Sequence, residues 1–253
     1  MKTLCIDAGN TRIKWGLRDG DVWVEQGVGL PDEVSVDRIV ACNVGGVSPR
    51  LTFEALAARL QAPIEWVRAQ PEQCGVKNGY EHPDQLGADR WAALIGARAM
   101  HRGDCLVVMC GTATTVDLLR ADGRFEGGLI LPGLDLMRDA LAGGTADLPP
   151  AAGSFVDKPR NTFDAIASGA IQATVGAIER MFRQLDPACD PLCLISGGAA
   201  GGVSPRLTFP QGAGRYEVAV PSDARDGAQP HTFPHRVVDN LVLEGLATIA
   251  NGG

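Results

Sequence analysis

Two short glycine loops, each set between a pair of extended segments, constrain this 253-residue chain more than any other feature. In the first, Asp7-Ala8-Gly9-Asn10-Thr11-Arg12-Ile13-Lys14 follows the apolar strand Thr3-Leu4-Cys5-Ile6 and leads into residues 12–17, which alternate outward and inward like a second strand. Gly9 lets the backbone approach an anion, Asn10 and Thr11 supply donors, and Lys14 emerges on the second strand. Lysine is an informative choice there, since only Lys2, Lys14, Lys77 and Lys158 occur among 23 basic residues. In the second, Met109-Cys110-Gly111-Thr112-Ala113-Thr114-Thr115-Val116-Asp117 ends a strand in the same way. Gly111 and the hydroxyls of Thr112, Thr114 and Thr115 can bond phosphate oxygens, and Asp117 either holds a metal or caps a turn. Either loop alone also fits an ordinary hairpin corner. No G-x-x-x-x-G-K-[ST] stretch occurs, so a P-loop fold is disfavoured and phosphates are expected between two domains.

Around these loops the chain reads as two halves of like order, 1–103 and 104–253. Strands are expected near residues 3–7, 12–18, 22–28, 39–42 and 64–67, with a helix that Ser48 caps and Pro49 starts, and another over 85–100. After Arg102-Gly103-Asp104 the pattern begins again: strands at 105–109, 114–120, 125–131, 192–195 and 218–220, a long helix over 163–185, and a short helix after the fourth strand. A closing amphipathic helix over 237–250, with Val238, Leu241, Val242, Leu246 and Ile249 on its apolar face, is expected to pack back across the domain junction. One nine-residue string, Gly-Gly-Val-Ser-Pro-Arg-Leu-Thr-Phe, occurs at 45–53 and again at 201–209, each time after the fourth strand of its half; two Pro-started helices after similar turns are the plain expectation.

Composition narrows the function. A net charge of −7 without a basic block disfavours nucleic-acid binding, so an anionic ligand has to be held locally. No apolar run reaches membrane-span length. Seven cysteines without a C-x-x-C pair, several in apolar runs, suggest buried thiols in a reducing cytoplasm rather than a zinc site.

The sequence resembles the type III pantothenate kinases of the acetate and sugar kinase, Hsp70 and actin superfamily over essentially its whole length. Residues 7–14 look like the family's first phosphate motif, Gly87-Ala88-Asp89-Arg90 like its pantothenate and catalytic motif, Gly111-Thr112-Ala113-Thr114-Thr115 like its second phosphate motif, and Ser196-Gly197-Gly198 like its adenosine motif. Residues 127–133 are similar to its dimer-interface segment. The resemblance implies an α/β fold of two duplicated ribonuclease H-like (actin-like ATPase) domains, each a mixed five-stranded sheet with helices, and an active site in the interdomain cleft. It implies ATP-dependent phosphorylation of the primary hydroxyl of pantothenate by a cytoplasmic homodimer.

The same resemblance assigns roles. Asp89 accepts the proton of the hydroxyl, where spacing alone would read an acidic residue suiting a helix dipole. Arg90 grips a carboxylate or phosphoryl oxygen, unless it is a surface ion pair. Tyr80 and Thr162 contact pantothenate, with a packed aromatic and a helix cap beside Asn161 as the bland alternatives. Asp7 positions Mg²⁺ directly or through water, and Lys14 and Thr112 meet β- and γ-phosphate oxygens. One position departs from the family: Met109 stands where many members carry the aspartate that holds potassium or ammonium, and a thioether is a poor ligand for either. A transcription accessory factor of the same family and a kinase for a sugar or acetate are the rival readings. Asp89 argues against the first, and Tyr80 with residues 87–90 against the second.

Overall fold

The computed structural model describes residues 1–31, 34–145, 153–208 and 233–252. The chain falls into two compact units, one of residues 1–102, 122–127 and 240–253, the other of residues 103–121 and 128–239. Its strands form two mixed sheets, of five and seven strands.

The first unit opens with β1 (Lys2–Ala8), β2 (Ile13–Asp19) and β3 (Val22–Val28), a meander whose two turns are the Gly9 loop and Asp19-Gly20-Asp21. After it come β4 (Arg38–Asn43), α1 (Val47–Leu60) and β5 (Ile64–Trp66), then the short antiparallel pair β6 (Glu72–Gln73) and β7 (Val76–Asn78), and α2 (Ala88–Met100). The sheet order is β3-β2-β1-β4-β5, with β4 and β5 added in parallel. Alternation along β1 decides its two faces. Leu4, Ile6 and Ala8 pack with Phe53, Leu56 and Ala57 of α1, which leaves Thr3, Cys5 and Asp7 on the opposite face.

The second unit repeats that order. Its strands β8 (Cys105–Cys110), β9 (Ala113–Leu119) and β10 (Arg124–Pro132) are followed by α3 (Leu134–Gly144), α4 (Thr162–Phe182), β11 (Leu192–Ser196), α5 (Ala200–Val203) and β12 (His235–Val237). The strand order β10-β9-β8-β11-β12 matches β3-β2-β1-β4-β5 position for position, with β11 and β12 again parallel to the first strand. Strand β10 begins in the first unit, where Arg124 and Phe125 pair with Lys77 and Asn78 of β7. Asp104, 2% exposed, ties the second unit at its base: it accepts from Arg120 at 2.8 Å, from the Ala121 amide at 2.9 Å and from the Asp186 amide at 3.0 Å.

The chain returns to the first unit in α6 (Leu241–Ala250). This helix crosses α2 at backbone distance. A methyl added at Gly245 would lie 1.7 Å from the Ala92 carbonyl, and one at Gly96 would lie 2.6 Å from the Leu241 carbonyl. Both helices face the side of the sheet that carries Cys5 and Asp7.

Several local expectations are corrected. Ser48 does not cap α1 and Pro49 does not start it: the helix begins at Val47 after Gly46, whose φ of 91° suits glycine, and Pro49 lies in the first turn, where no amide partner is needed. The helix expected from Gln85 begins at Ala88, after a short 3-10 turn at Pro83–Gln85. Residues 235–237 form β12, paired in parallel beside β11, so the closing helix starts at Leu241 and not at Val237; Pro234 and the branched Val237 and Val238 favour extended backbone. Helix α3 and the short β6 and β7 were not expected, and the strand expected at 218–220 lies outside the described residues. The repeated string takes two shapes. Its first copy builds α1, with Val47 73% and Leu51 60% exposed; in the second, Val203 ends α5 at 0% exposure, Ser204–Arg206 form a 3-10 turn, and Leu207 is 6% exposed.

The α2–α6 crossing makes a direct prediction. Gly245→Ala should gain about 1 kcal/mol of helix propensity yet lose about 3 kcal/mol or more to overpacking. Thermal unfolding of the variant is expected roughly 6 °C or more below wild type; an unchanged midpoint would mean that the helices do not meet this closely.

Candidate active site

In the first unit the Gly9 loop is a tight hairpin end. Ala8 pairs with Ile13 across it, and the Gly9 amide donates to the Arg12 carbonyl at 3.1 Å. The residues after β4 press on it from the side: the Val44 amide donates to the Ala8 carbonyl at 3.0 Å, and a methyl on Gly45 would sit 2.9 Å from the Gly9 carbonyl. Asn10, Thr11 and Arg12 at the tip are exposed, and Ile13 is half-buried.

Strand register then sets the surroundings of Asp7. Its neighbour across β2 is Lys14 and its neighbour across β4 is Cys42, so one face presents thiol, carboxylate and ammonium side by side. The Cys42 thiol, buried and with its pKa pushed far up by that burial, stays neutral and donates to Asp7 Oδ1 at 3.4 Å. Lys14 Nζ donates to Asn240 Oδ1 at 3.3 Å, and the Asn240 amide is itself held on Gln26 Oε1 at 2.6 Å. Asn240 precedes α6 without capping it. Asp7 is half-buried, and its pKa is pushed up to about 6, first by withdrawal from water and then by the charge of Asp89, against the pull of Cys42 and Lys14.

Asp89 is thus within electrostatic reach of Asp7. It is the second residue of α2 and folds its carboxylate back onto the Arg90 amide at 2.8 Å. Gly87 makes room for that carboxylate, because a methyl there would lie 2.6 Å from Asp89 Oδ1; Ala88 then opens the helix. Arg90 is 5% exposed. Its guanidinium donates to the Tyr80 hydroxyl at 2.8 Å and lies over the rings of Tyr80 and Phe125. The first unit therefore gathers Asp7, Lys14, Tyr80, Gly87, Ala88, Asp89 and Arg90 from four elements of sequence.

In the second unit, Gly111 and Thr112 form the exposed turn between β8 and β9, closed by the Gly111 amide on the Ala113 carbonyl at 3.1 Å. Two glycines pack against that turn. Gly197, with φ of 103°, leaves only 2.3 Å between a methyl and the Cys110 carbonyl, and Gly133 only 2.2 Å to the Gly111 carbonyl. The second phosphate motif and Ser196-Gly197-Gly198 are therefore neighbours, with Ser196 buried, Gly197 half-buried and Gly198 exposed. Thr162 is the exposed first residue of α4, whose N-cap is Asn161, accepting from the Asp164 amide at 2.9 Å. Asp117 is 1% exposed in mid-strand, with Gly128 packed on its carboxylate.

Among the described residues no group of three or more His, Cys, Asp and Glu could hold a metal ion, all seven cysteines are free, and no helix is long and apolar enough to cross a membrane. Asp7 still suits Mg²⁺, an ion that commonly takes one carboxylate and fills its remaining positions with water and phosphate oxygens. A cavity of about 640 Å³ in the second unit, lined by Phe155, Gln172 and Glu179 and by Pro205, Arg206 and Thr208 of the repeated string, includes none of the candidate catalytic or binding residues. Sequence reading missed Cys42, Asn240 and Phe125. Of these only Asn240 carried a signal, as an N-cap residue type at the true start of the closing helix.

Comparison with solved structures gives the class. A conserved candidate Baf family transcriptional activator from Campylobacter jejuni aligns with a TM-score of 0.60 at 18% identity, covering 98% of this chain and 97% of that one. A candidate 2-dehydro-3-deoxygalactonokinase from Sinorhizobium meliloti aligns with a TM-score of 0.56 at 15% identity over the same shares. At such identities the likeness speaks for fold alone, that of the sugar kinases and actin-like ATPases. The profile of the type III pantothenate kinases matches residues 23–184. Proteins named type III pantothenate kinase from Aromatoleum aromaticum and Azoarcus sp. are 48% and 45% identical, across 98% of this chain and 97% and 90% of theirs. The chain belongs to the type III pantothenate kinase family.

The Asp7 environment predicts a pH-dependent trade between stability and function. Because the folded-state pKa is raised, the stability contributed by the neutral carboxyl is whole below the unfolded value near 4 and is lost as pH rises through about 6. In the presence of a chelator, Asp7→Asn should melt above wild type at pH 8, and the difference should vanish below about pH 4. A wild type that melts above the variant at pH 8 would contradict a strained carboxylate.

Proposed function

We propose that this protein transfers the γ-phosphoryl group of ATP to the primary hydroxyl of pantothenate, the first step towards coenzyme A. Family membership supports the reaction, and the observation that carries it is that the charge of Asp89, at the start of α2, raises the Asp7 carboxyl on β1; in this reading Asp89 is the base and Asp7 the carboxylate that holds the metal. Asp89 takes the hydroxyl proton and aims the oxygen; in a loose transition state, aim matters more than basicity. Lys14, with the backbone of residues 8–13, and Gly111 and Thr112 bind the phosphates, and Lys14 offsets charge as it moves to the leaving oxygen. Ser196, Gly197 and Gly198 receive the adenosine. Tyr80, residues 87–90 and Thr162 hold pantothenate. Mg²⁺ would be held by Asp7, directly or through water, and would neutralise phosphate charge when bound; the buried Asp117 is the weaker alternative.

The working protein in this reading is a cytoplasmic homodimer. Leu129 and Ile130, 39% and 66% exposed within residues 127–133, give that segment an apolar surface to cover.

Asp89→Asn keeps the shape of the side chain and removes the base, so kcat should fall by about 10² or more while pantothenate binding stays within several-fold. Calorimetry and turnover on the same preparation test this, and near-normal turnover would remove Asp89 from catalysis. Met109, paired with Thr115 on β9, offers no charge to a monovalent ion. Turnover at matched ionic strength is expected to be alike in potassium, ammonium and sodium, and Met109→Asp is expected to introduce selectivity. Strong potassium activation of the wild type would refute the reading of that position.

A further inference from the structure

We propose that Asn240 is a positioning residue that keeps the Lys14 ammonium off Asp7 and aimed at the phosphates of ATP, an inference that rests on the function proposed above. Lys14 has a stronger partner next door, since Asp7 is its neighbour across β1 and feels its charge. An ammonium that settled on Asp7 would neutralise the phosphate cation and the metal-holding carboxylate together. Its Nζ donates instead to Asn240 Oδ1 at 3.3 Å. An amide oxygen is a neutral acceptor. It takes one of the three ammonium protons and leaves the charge, with the other two protons, for phosphate oxygens.

The use made of the Asn240 side chain supports this role. Asparagine is a favoured N-cap residue and Asn240 stands directly before α6, yet its side chain makes no bond to the helix. The orientation of the amide is forced, because a lysine only donates: Oδ1 faces Lys14, and Nδ2 therefore donates on its other side, to Gln26 Oε1 at 2.6 Å. Gln26 pairs with Gly16, two residues along β2 from Lys14 and on the same face of the sheet. The backbone beneath the amide is pinned as well. The Asn240 carbonyl accepts from the Glu244 amide at 3.1 Å, and the Glu244 carboxylate accepts from the Trp23 indole at 2.8 Å, so the start of α6 is tied to β3 at two points. Residue 240 is where the chain re-enters the first unit, and that return brings Lys14 an acceptor from 226 positions away.

Two readouts test the assignment. The lysines of this chain are Lys2, Lys14, Lys77 and Lys158, so protein carrying carbon-13 at lysine Cε gives one resonance for each, and Lys14→Arg identifies that of Lys14. Without any ligand, Asn240→Ala and Gln26→Leu should each displace the Lys14 line in protein that still melts cooperatively; a line unmoved in both would overturn the proposal. In kinetics, Asn240→Ala should lower kcat about tenfold, the effect of one hydrogen bond to a charged group, with KM for pantothenate within about twofold of wild type. A shifted α6 would carry α2 and Asp89 with it, so a raised KM for pantothenate at unchanged kcat would make the role of Asn240 structural and sink the idea. In a Lys14→Met background the same change should cause no further loss, because both act through one ammonium; effects that multiply would mean that Asn240 works independently of Lys14, against the proposal. Asn240→Asp separates position from charge. Aspartate suits a helix start, so the thermal midpoint should not fall, yet its carboxylate neutralises Lys14 and kcat should drop at least as far as in Asn240→Ala. Near-normal turnover of that variant would refute the need for a neutral acceptor. If the wild type makes no phosphopantothenate, the proposed function falls, and the lysine resonances still decide what holds Lys14.

Discussion

The crossing of α2 and α6 is the constraint on which the first unit depends. Helices ordinarily keep about 8–10 Å between axes because side chains stand between them. Here Gly96 and Gly245 remove the side chains from both surfaces, and backbone meets backbone. The gain is more than dispersion energy. The start of α2 carries Asp89 and Arg90, and the residue before α6 is Asn240, the acceptor for Lys14. A crossing with so little slack fixes both helices as one body, and further ties reinforce α6: Trp23 donates to Glu244 at 2.8 Å, and Arg38 donates to the Ala250 carbonyl. Polar groups supplied by residues 89 and 240 are thereby held against the strand that carries Asp7.

The sheet adds its own logic. A strand end where a hairpin turns exposes backbone amides, and in both units the loop taken for a phosphate site is the turn after the first strand, in sheets whose five corresponding strands follow one order. A parallel neighbour on one side and an antiparallel neighbour on the other give the last residues of that strand two flanking side chains. For Asp7 these are Cys42 and Lys14, a neutral weak donor and a cation. A carboxylate so placed is under-compensated in the absence of a ligand, and the same burial that raises its affinity for a proton favours a cation beside it.

Much of this was legible in the chain. Alternating apolar residues located β1 to β4 and β8 to β11 to within a residue or two, and short-range glycine and polar patterns located both loops. What escaped depended on partners distant in sequence. The burial of Arg90 follows from Phe125, more than thirty positions later in the chain. The place of Cys42 beside Asp7 follows from parallel register, which no local pattern encodes. The start of α6 was misplaced because Val237 and Val238 satisfy a helical apolar stripe and a parallel strand equally well, and only pairing with β11 decides between them. Helix α3 escaped because its last residues, Ala142-Gly143-Gly144, look like loop.

The duplicated nine-residue string shows how little shape such a stretch owns. As a linear peptide it is one antigen, and serum raised against it would recognise both places once the protein is denatured. In the folded chain the two places differ as antigens. At 47–51 the valine and leucine project from an exposed helix turn, whereas at 203–207 the same two residues are interior and the arginine between them stacks on Phe155 at 4.2 Å. An antibody selected on the native protein would therefore report on one copy and be blind to the other.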